Sequence, residues 1–192
     1  MRTLVLRLGP GRVQLSPAAG AELIVTCAND QQPQRRDTPD GVTLTAQQRT
    51  LLGISIPSQP LHWQIQVPTD FNRITIQAAG ATVLSHDVAW AEMRLEGTAS
   101  QLECRTTHLN RMALVGTGQS ATLQVECLDH LLLDGLNNHA TVAHRTAFAI
   151  EPLTAGLGCR IEAPAAYPNA QHRLQCQLNG LHQVVEVQHV TH

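Results

Sequence analysis

The chain has 192 residues, a net charge of −2, and 13 basic side chains that are all arginine, since lysine is absent. Arginines scattered along a near-neutral chain exclude the basic stripe that a nucleic-acid surface needs. No run of about 18 apolar residues occurs, so no membrane-crossing helix is expected, and the length is enough for one unit with a real core.

Met1 to Leu15 alternates Leu and Val with Arg and Gly, and it lacks the apolar core and small-residue cleavage site of a secretion leader. Five cysteines, at 27, 104, 127, 159 and 176, are an odd number in a chain too large to need a disulfide scaffold. Reduced thiols and a cytoplasmic location fit the sequence as written. A surface or exported location follows if a leader has been removed.

Short alternating runs fill the first 53 residues: Leu4, Leu6 and Leu8; Val13 and Leu15; Leu23, Val25 and Cys27; Val42 and Leu44. Gly-Pro-Gly at 9–11 and the polar stretch from Asp30 to Gly41 separate them, which predicts strands joined by turns and one exposed loop. Their spacing is irregular. Residues 1–53 are therefore expected to form a cap or a packing layer beside a more regular array.

That array spans 54–165. Ile74, Met93, Met112, Leu131 and Ile150 recur every 19 residues; Ile76, Leu95, Leu114 and Leu133 form a second series, and Gly97, Gly116 and Gly135 a third. A fixed period of this size marks one unit stacked on copies of itself. Ile54, Ile56, Trp63, Ile65 and Val67 sit 20 residues ahead of their counterparts and read as the first unit with one residue added. Within a unit the period is two, as in Met93-Arg94-Leu95-Glu96-Gly97, which is strand periodicity. Nineteen residues are too few for a strand plus a crossover helix, which needs roughly 30. Further columns run Val83, Leu102, Ala121, Ala140, Cys159 and Phe71, Trp90, Leu109, Leu128, Ala147, Ala166. Three apolar columns per unit predict an all-β, three-faced parallel β-solenoid, with right-handed coils expected from the chirality of parallel crossovers. The glycines mark corners. Beyond 165 the frame fades, and Asn179-Gly180 between two alternating runs predicts a C-terminal capping hairpin over 166–192.

The lead-in Val67-Pro68, the strand Ile74-Thr75-Ile76 and strand-glycine units such as Met93-Arg94-Leu95-Glu96-Gly97 and Leu131-Leu132-Leu133-Asp134-Gly135 resemble the bacterial putative-adhesin family of β-strand repeats, a domain of unknown function. The resemblance covers roughly residues 60–165. It implies a single-stranded β-helix, in a family with many exported or surface-associated members, and it carries no catalytic residues to transfer. The Gly-Asp pair common at the family's corners is Gly97-Thr98, Gly116-Thr117 and Gly135-Leu136 here.

The 19-residue frame places each patch of candidate chemistry on a column of the array. His86, His108 and His130 are evenly spaced by 22 but fall in three different columns. His108 and Cys127 do stack, yet their column continues as Ala89 and Thr146, too few ligands for zinc. Gly116-Thr117-Gly118-Gln119-Ser120-Ala121 matches a dinucleotide loop but is followed by strand alternation where a helix N-terminus is required. Ser85-His86-Asp87 holds triad residue types whose side chains alternate between faces. Glu96 and Asp134 share a column about 9.6 Å apart at the usual strand spacing, near the upper end of an inverting glycosidase pair, roughly 6.5–9.5 Å. Val115 lies between them, and aromatic platforms are scarce. No cofactor, metal or catalytic residue is expected.

The outward column Arg73, Glu92, Arg111, His130 alternates in charge and reads as structural. Outward Val115, Leu132 and Leu153 are the unusual residues, because a solvated face should not carry them. Either the N-terminal segment packs over them, the favoured reading, or they form a partner face. The sequence thus predicts a non-catalytic rigid scaffold or binding module with a protein or carbohydrate ligand. Its first alternative is a self-assembling polymer formed through the ends or the outer face. A carbohydrate-active enzyme ranks last.

Overall fold

Alternation of apolar and polar residues puts every apolar group on one face of an extended chain, and the strands form where the sequence alternates. The computed structural model describes residues 1–28, 32–46, 50–51, 54–55, 60–163, 167 and 170–190. In chain order the strands are β1 (Arg2–Leu8), β2 (Gly11–Pro17), β3 (Ile24–Cys27), β4 (Gln34–Thr38), β5 (Gly41–Thr45), β6 (Thr50–Leu51) and β7 (Ile54–Ser55). Then come β8 (Leu61–Val67), β9 (Phe71–Ala79), β10 (Ala81–His86), β11 (Glu92–Thr98), β12 (Gln101–His108), β13 (Arg111–Thr117) and β14 (Ser120–Cys127). The last are β15 (His130–Leu136), β16 (His139–His144), β17 (Phe148–Leu157), β18 (Arg160–Glu162), β19 (His172–Leu181) and β20 (Val184–His189). The described residues form no helix.

Two nine-stranded sheets result. The first runs β17-β19-β15-β13-β11-β9-β1-β5-β4, the second β18-β20-β16-β14-β12-β10-β2-β8-β3, and β6 with β7 makes a separate two-stranded sheet. All pairs inside the large sheets are parallel except the outermost β3–β8 and β4–β5, which are antiparallel.

The 19-residue period is the register of these sheets. Ile74 pairs with Met93, Met93 with Met112 and Met112 with Leu131 in the first sheet. Val83, Leu102, Ala121 and Ala140 do the same in the second. Each unit gives one strand to each sheet, and the apolar columns face each other as the core; Ile76, Leu95, Leu114, Leu133, Leu123 and Val142 are all fully buried. Ser85 lies in this core, and its hydroxyl accepts the Trp90 indole N–H at 2.8 Å, which satisfies both buried groups. The third column is buried too at Phe71, Trp90, Leu109 and Leu128. Apart from Phe71 these lie in connections between strands, so the two large sheets carry the faces. Ala147 is exposed, Phe148 takes the buried place instead, and Ala166 lies outside the described residues.

A recurring corner carries each unit from the first sheet to the second. It reads glycine, one residue, a residue with positive φ, and a buried polar residue. Gly135 (φ +119) sits so close over β13 that a Cβ there would lie 2.0 Å from the Gly116 carbonyl oxygen. Two residues on, Ala99, Gly118, Asn137 and His182 hold φ between +48 and +63. The next positions, Ser100, Gln119, Asn138 and Gln183, are buried side chains stacked into a ladder. Asn138 Oδ1 accepts the Gln119 backbone N–H at 3.0 Å, while Gln183 Oε1 accepts that of Asn138 at 3.2 Å. Such bonds supply partners for backbone groups that leave the sheets at the bend.

The chain ends depart from expectation. β1 lies between β5 and β9, and β2 between β8 and β10, so residues 2–17 are an inner member of both sheets and not a covering layer. Leu4 and Leu6 pair with Ile74 and Ile76 on one side and with Val42 and Leu44 on the other. Ile54, read as the start of the first unit, is in the small antiparallel sheet, and Val42 and Leu44 occupy its place; Ile56 lies outside the described residues. At the other end β19 inserts between β15 and β17, and β20 between β16 and β18. The expected hairpin does not form: β19 and β20 belong to different sheets. Gly180 pairs with Gly135, so Asn179-Gly180 is another corner of the repeat. Beyond His144 the 19-residue frame gives way: Ile150 pairs with Leu174, and Ile161, not Cys159, lies beside Val185 in the column of Ala140.

Candidate functional site

The outer face of the first sheet is a lattice of paired charges. Arg73 Nε lies 3.1 Å and Arg111 Nη1 3.6 Å from the two Glu92 oxygens, as the alternating column predicts. Arg7 donates to Gln77, Gln77 donates to Glu96 at 3.0 Å, and Arg94 donates to Glu96 as well. Exposed pairs of this kind contribute roughly 0–1 kcal/mol each. The hydrogen bond from Arg94, then that from Gln77, holds the Glu96 carboxyl below its ordinary range. That is the wrong direction for a general acid, which needs a raised value. Val115 stands in register between Glu96 and Asp134.

Val115 and Leu132 are half-buried on neighbouring strands of this face: Val115 pairs with Asp134, and Leu132 with Ala113. Leu153 is 48% exposed on β17, at a register shift, with β19 separating it from β15. The register thus sets Val115 and Leu132 diagonally on neighbouring strands, two positions apart, and leaves Leu153 away from both. β1 and β2 lie within the sheets and do not cover these residues. Sequence reasoning missed a second apolar column at the corner, where Leu136 pairs with Leu181 and Leu181 with Leu157. These three are 37%, 43% and 76% exposed. The signal was the residue after each corner glycine, which changes from Thr98 and Thr117 to leucine at 136.

The motif-like residues are absorbed by the fold. His108 and Cys127 stack as expected. Ser85 is buried, while His86 is exposed with its Nε2 3.9 Å from Glu103. Gly116 to Gln119 is a corner. His144, deeply buried in the Val125 column, accepts the Leu128 backbone N–H at Nε2 (3.3 Å), while its Nδ1 lies 2.7 Å from the Thr146 carbonyl oxygen and 3.2 Å from the Thr146 backbone nitrogen. All five cysteines are free thiols. Burial pushes Cys104 and Cys176 up to about 12, and it also raises Cys27 and Cys127.

The outer face of the second sheet differs. Two overlapping hollows of ≈ 370 and ≈ 290 Å³ share Gln14, Thr26 and Gln64 and form one trough over β2, β8 and β3. Gln14 is in register with Gln64, Arg12 with His62, and Ser16 with Gln66, while antiparallel β3 brings Thr26 opposite Gln64. All of these side chains are exposed. None has a side-chain hydrogen bond or ion pair to another described residue, in contrast to the paired lattice on the first sheet. Leu84 forms part of the floor and is only 7% exposed although it points outward beside Gln14. The trough was invisible in the sequence because β2 and β8 are neighbours only through a pairing about 50 residues long-range.

No family model and no curated protein matches the chain. Among solved structures it is similar to a putative cell adhesion protein from Clostridium sporogenes ATCC 15579, at 12% identity and a TM-score of 0.48, covering 98% of this chain and 92% of that one. It is also similar to a putative adhesin from Bacteroides fragilis NCTC 9343, at 9% identity and a TM-score of 0.44, covering 97% and 92%.

Proposed function

We propose that the chain is a non-catalytic, rigid binding module of the adhesin-like kind, built as a right-handed parallel β-solenoid that supports recognition on its outer faces. The observation that carries this reading is the trough: open hydrogen-bonding side chains sit on strands β2 and β8, each pinned by neighbours on both sides. Strand-borne side chains are positioned before a ligand arrives, which lowers the ordering cost of binding. The test is biolayer interferometry of the purified protein against panels of glycans and matrix proteins. Saturable binding without ligand turnover supports the module. Turnover that is lost in Glu96→Gln or Asp134→Asn overturns it in favour of a glycan-active enzyme.

One observation favours the rival reading of self-assembly, the exposed column of Leu136, Leu181 and Leu157 near the edge strand β17, with Val115 and Leu132 on the adjoining face. The strand edges argue against end-to-end growth. Pro152 removes a donor from β17, which also carries two register shifts, and β4 presents Arg35, Arg36 and Asp37. Sedimentation velocity across a concentration series separates the two: open-ended growth supports the polymer, a fixed species the module.

A further inference from the structure

We propose that the trough on the second sheet is a saccharide subsite, taking a sugar that carries a carboxylate, as a uronic acid does; this rests on the binding-module reading above. Its place on the sheet decides the mode of recognition. From Gly11–Leu61 to Pro17–Val67 the backbones of β2 and β8 are committed to their own parallel ladder, and β8 is covered on its other side by β3. The sheet's open edge is on β3; a peptide adding itself as a strand finds none on β2 or β8, where the amides stand, so there side chains must read the ligand.

Those side chains fit a polyol. Gln14 and Gln64 lie side by side at the usual strand spacing of about 4.8 Å, and Gln66 follows on the same face. Each amide offers two donors and an acceptor, and the hydroxyls of Thr26 and Ser16 do both. This matches adjacent sugar hydroxyls, which also donate and accept. At one end Arg12 and His62 face the same space in register. No carboxylate lines either hollow; Glu103 borders the second one, in register with Leu84 and 3.9 Å from His86, so the anion belongs at the Arg12 end. The guanidinium fork of Arg12 pairs a carboxylate through two parallel N–H bonds. Leu84 supplies an apolar patch for the C–H face of a ring. The combined space is in the range of small-molecule sites, about 300–1,000 Å³.

The experiment titrates the full chain with trigalacturonic acid and, separately, with galactotriose, following the side-chain amide resonances of Gln14 and Gln64 by NMR. The charged trisaccharide should move both resonances and bind about tenfold more tightly than the neutral one, the margin of a charge-assisted pair over none. Arg12→Ala should remove that margin, Gln64→Ala should weaken both sugars, and Arg111→Ala, on the other sheet, should change nothing. Failure of both sugars to shift these amides, or binding indifferent to Gln64→Ala, overturns the subsite. If the glycan and matrix panels still capture the Arg12→Ala, Gln64→Ala double variant as well as the parent chain, the subsite falls and the module stands. If the panels capture nothing, both fall. Binding of peptides at the same amides in place of sugars also overturns the saccharide assignment.

Discussion

Gly135→Ala tests how the corner is built. The new Cβ would lie 2.0 Å from the Gly116 carbonyl oxygen and 2.9 Å from its carbon, both backbone atoms held in the parallel ladder. No rotamer change relieves that contact, so β15 must move away from β13 by about an ångström, weakening ladder bonds worth about 1 kcal/mol each. The backbone angle of φ +119 adds a further cost, since strained conformations of this type cost of order 1–3 kcal/mol for an L side chain. Together these give a destabilisation of about 3–5 kcal/mol, which in a chain of this length lowers Tm by roughly 6–20 °C. Gly118→Ala is the internal control: its φ of +63 is left-handed, but nothing lies within 4 Å of the added Cβ, so only the conformational cost of about 1–2 kcal/mol applies. Thermal melts followed by circular dichroism check both. Equal melting temperatures for the two variants would refute the close-approach argument.

Three further predictions concern the buried ladder, the inserted strands and the thiols. Asn138→Ala removes the acceptor for Gln119 N–H and the donor to the Asp134 and Gly116 carbonyls, and should cost about 2–4 kcal/mol in urea unfolding, since buried partners are left unpaired. Deleting residues 171–192 takes β19 and β20 from inside both sheets, with Leu174, Cys176, Leu178, Val185 and Val187 all buried. Hydrogen exchange should show protection lost in β15 to β18 and kept in β9 to β13; unchanged protection of β15 would contradict the insertion. The thiols of Cys104 and Cys176 stand near 12 in the fold against an ordinary 9.0. The unfolded chain therefore releases these protons first, so stability is intact below about pH 9 and falls as pH rises towards 12. With no lysine and one tyrosine, the main other contributors there are the remaining thiols, of which burial also raises Cys27 and Cys127. The Cys104→Ala, Cys176→Ala double variant should flatten the alkaline decline of the urea midpoint; an identical slope would rule the thiols out.

What was legible in the chain was whatever repeats locally. Period two assigned strands and faces, and period 19 gave the register from Arg73 to His144, because a stacked unit places each residue over its own counterpart. The same logic placed the Arg73-Glu92-Arg111 ladder, put Val115 and Leu132 on an outer face, and dismissed the contiguous Ser85-His86-Asp87 and the glycine loop at 116–118. Leu153 escaped it, since a register shift in β17 removes that residue from the frame.

Order within the stack is a different matter, and only the tertiary structure decided it. Apolar columns such as Leu4-Leu6, Val42-Leu44 and Leu174-Leu178 are chemically near equivalent, so any of them can sit beside Ile74-Ile76 or Leu131-Leu133 without changing the local pattern. Nothing in the alternation of residues 2–17 or 172–189 distinguishes an inner strand from a cap. That choice is made by pairings tens of residues apart, and the trough follows from it, since β8 meets β2 only because the first strands of the chain are held inside the sheets.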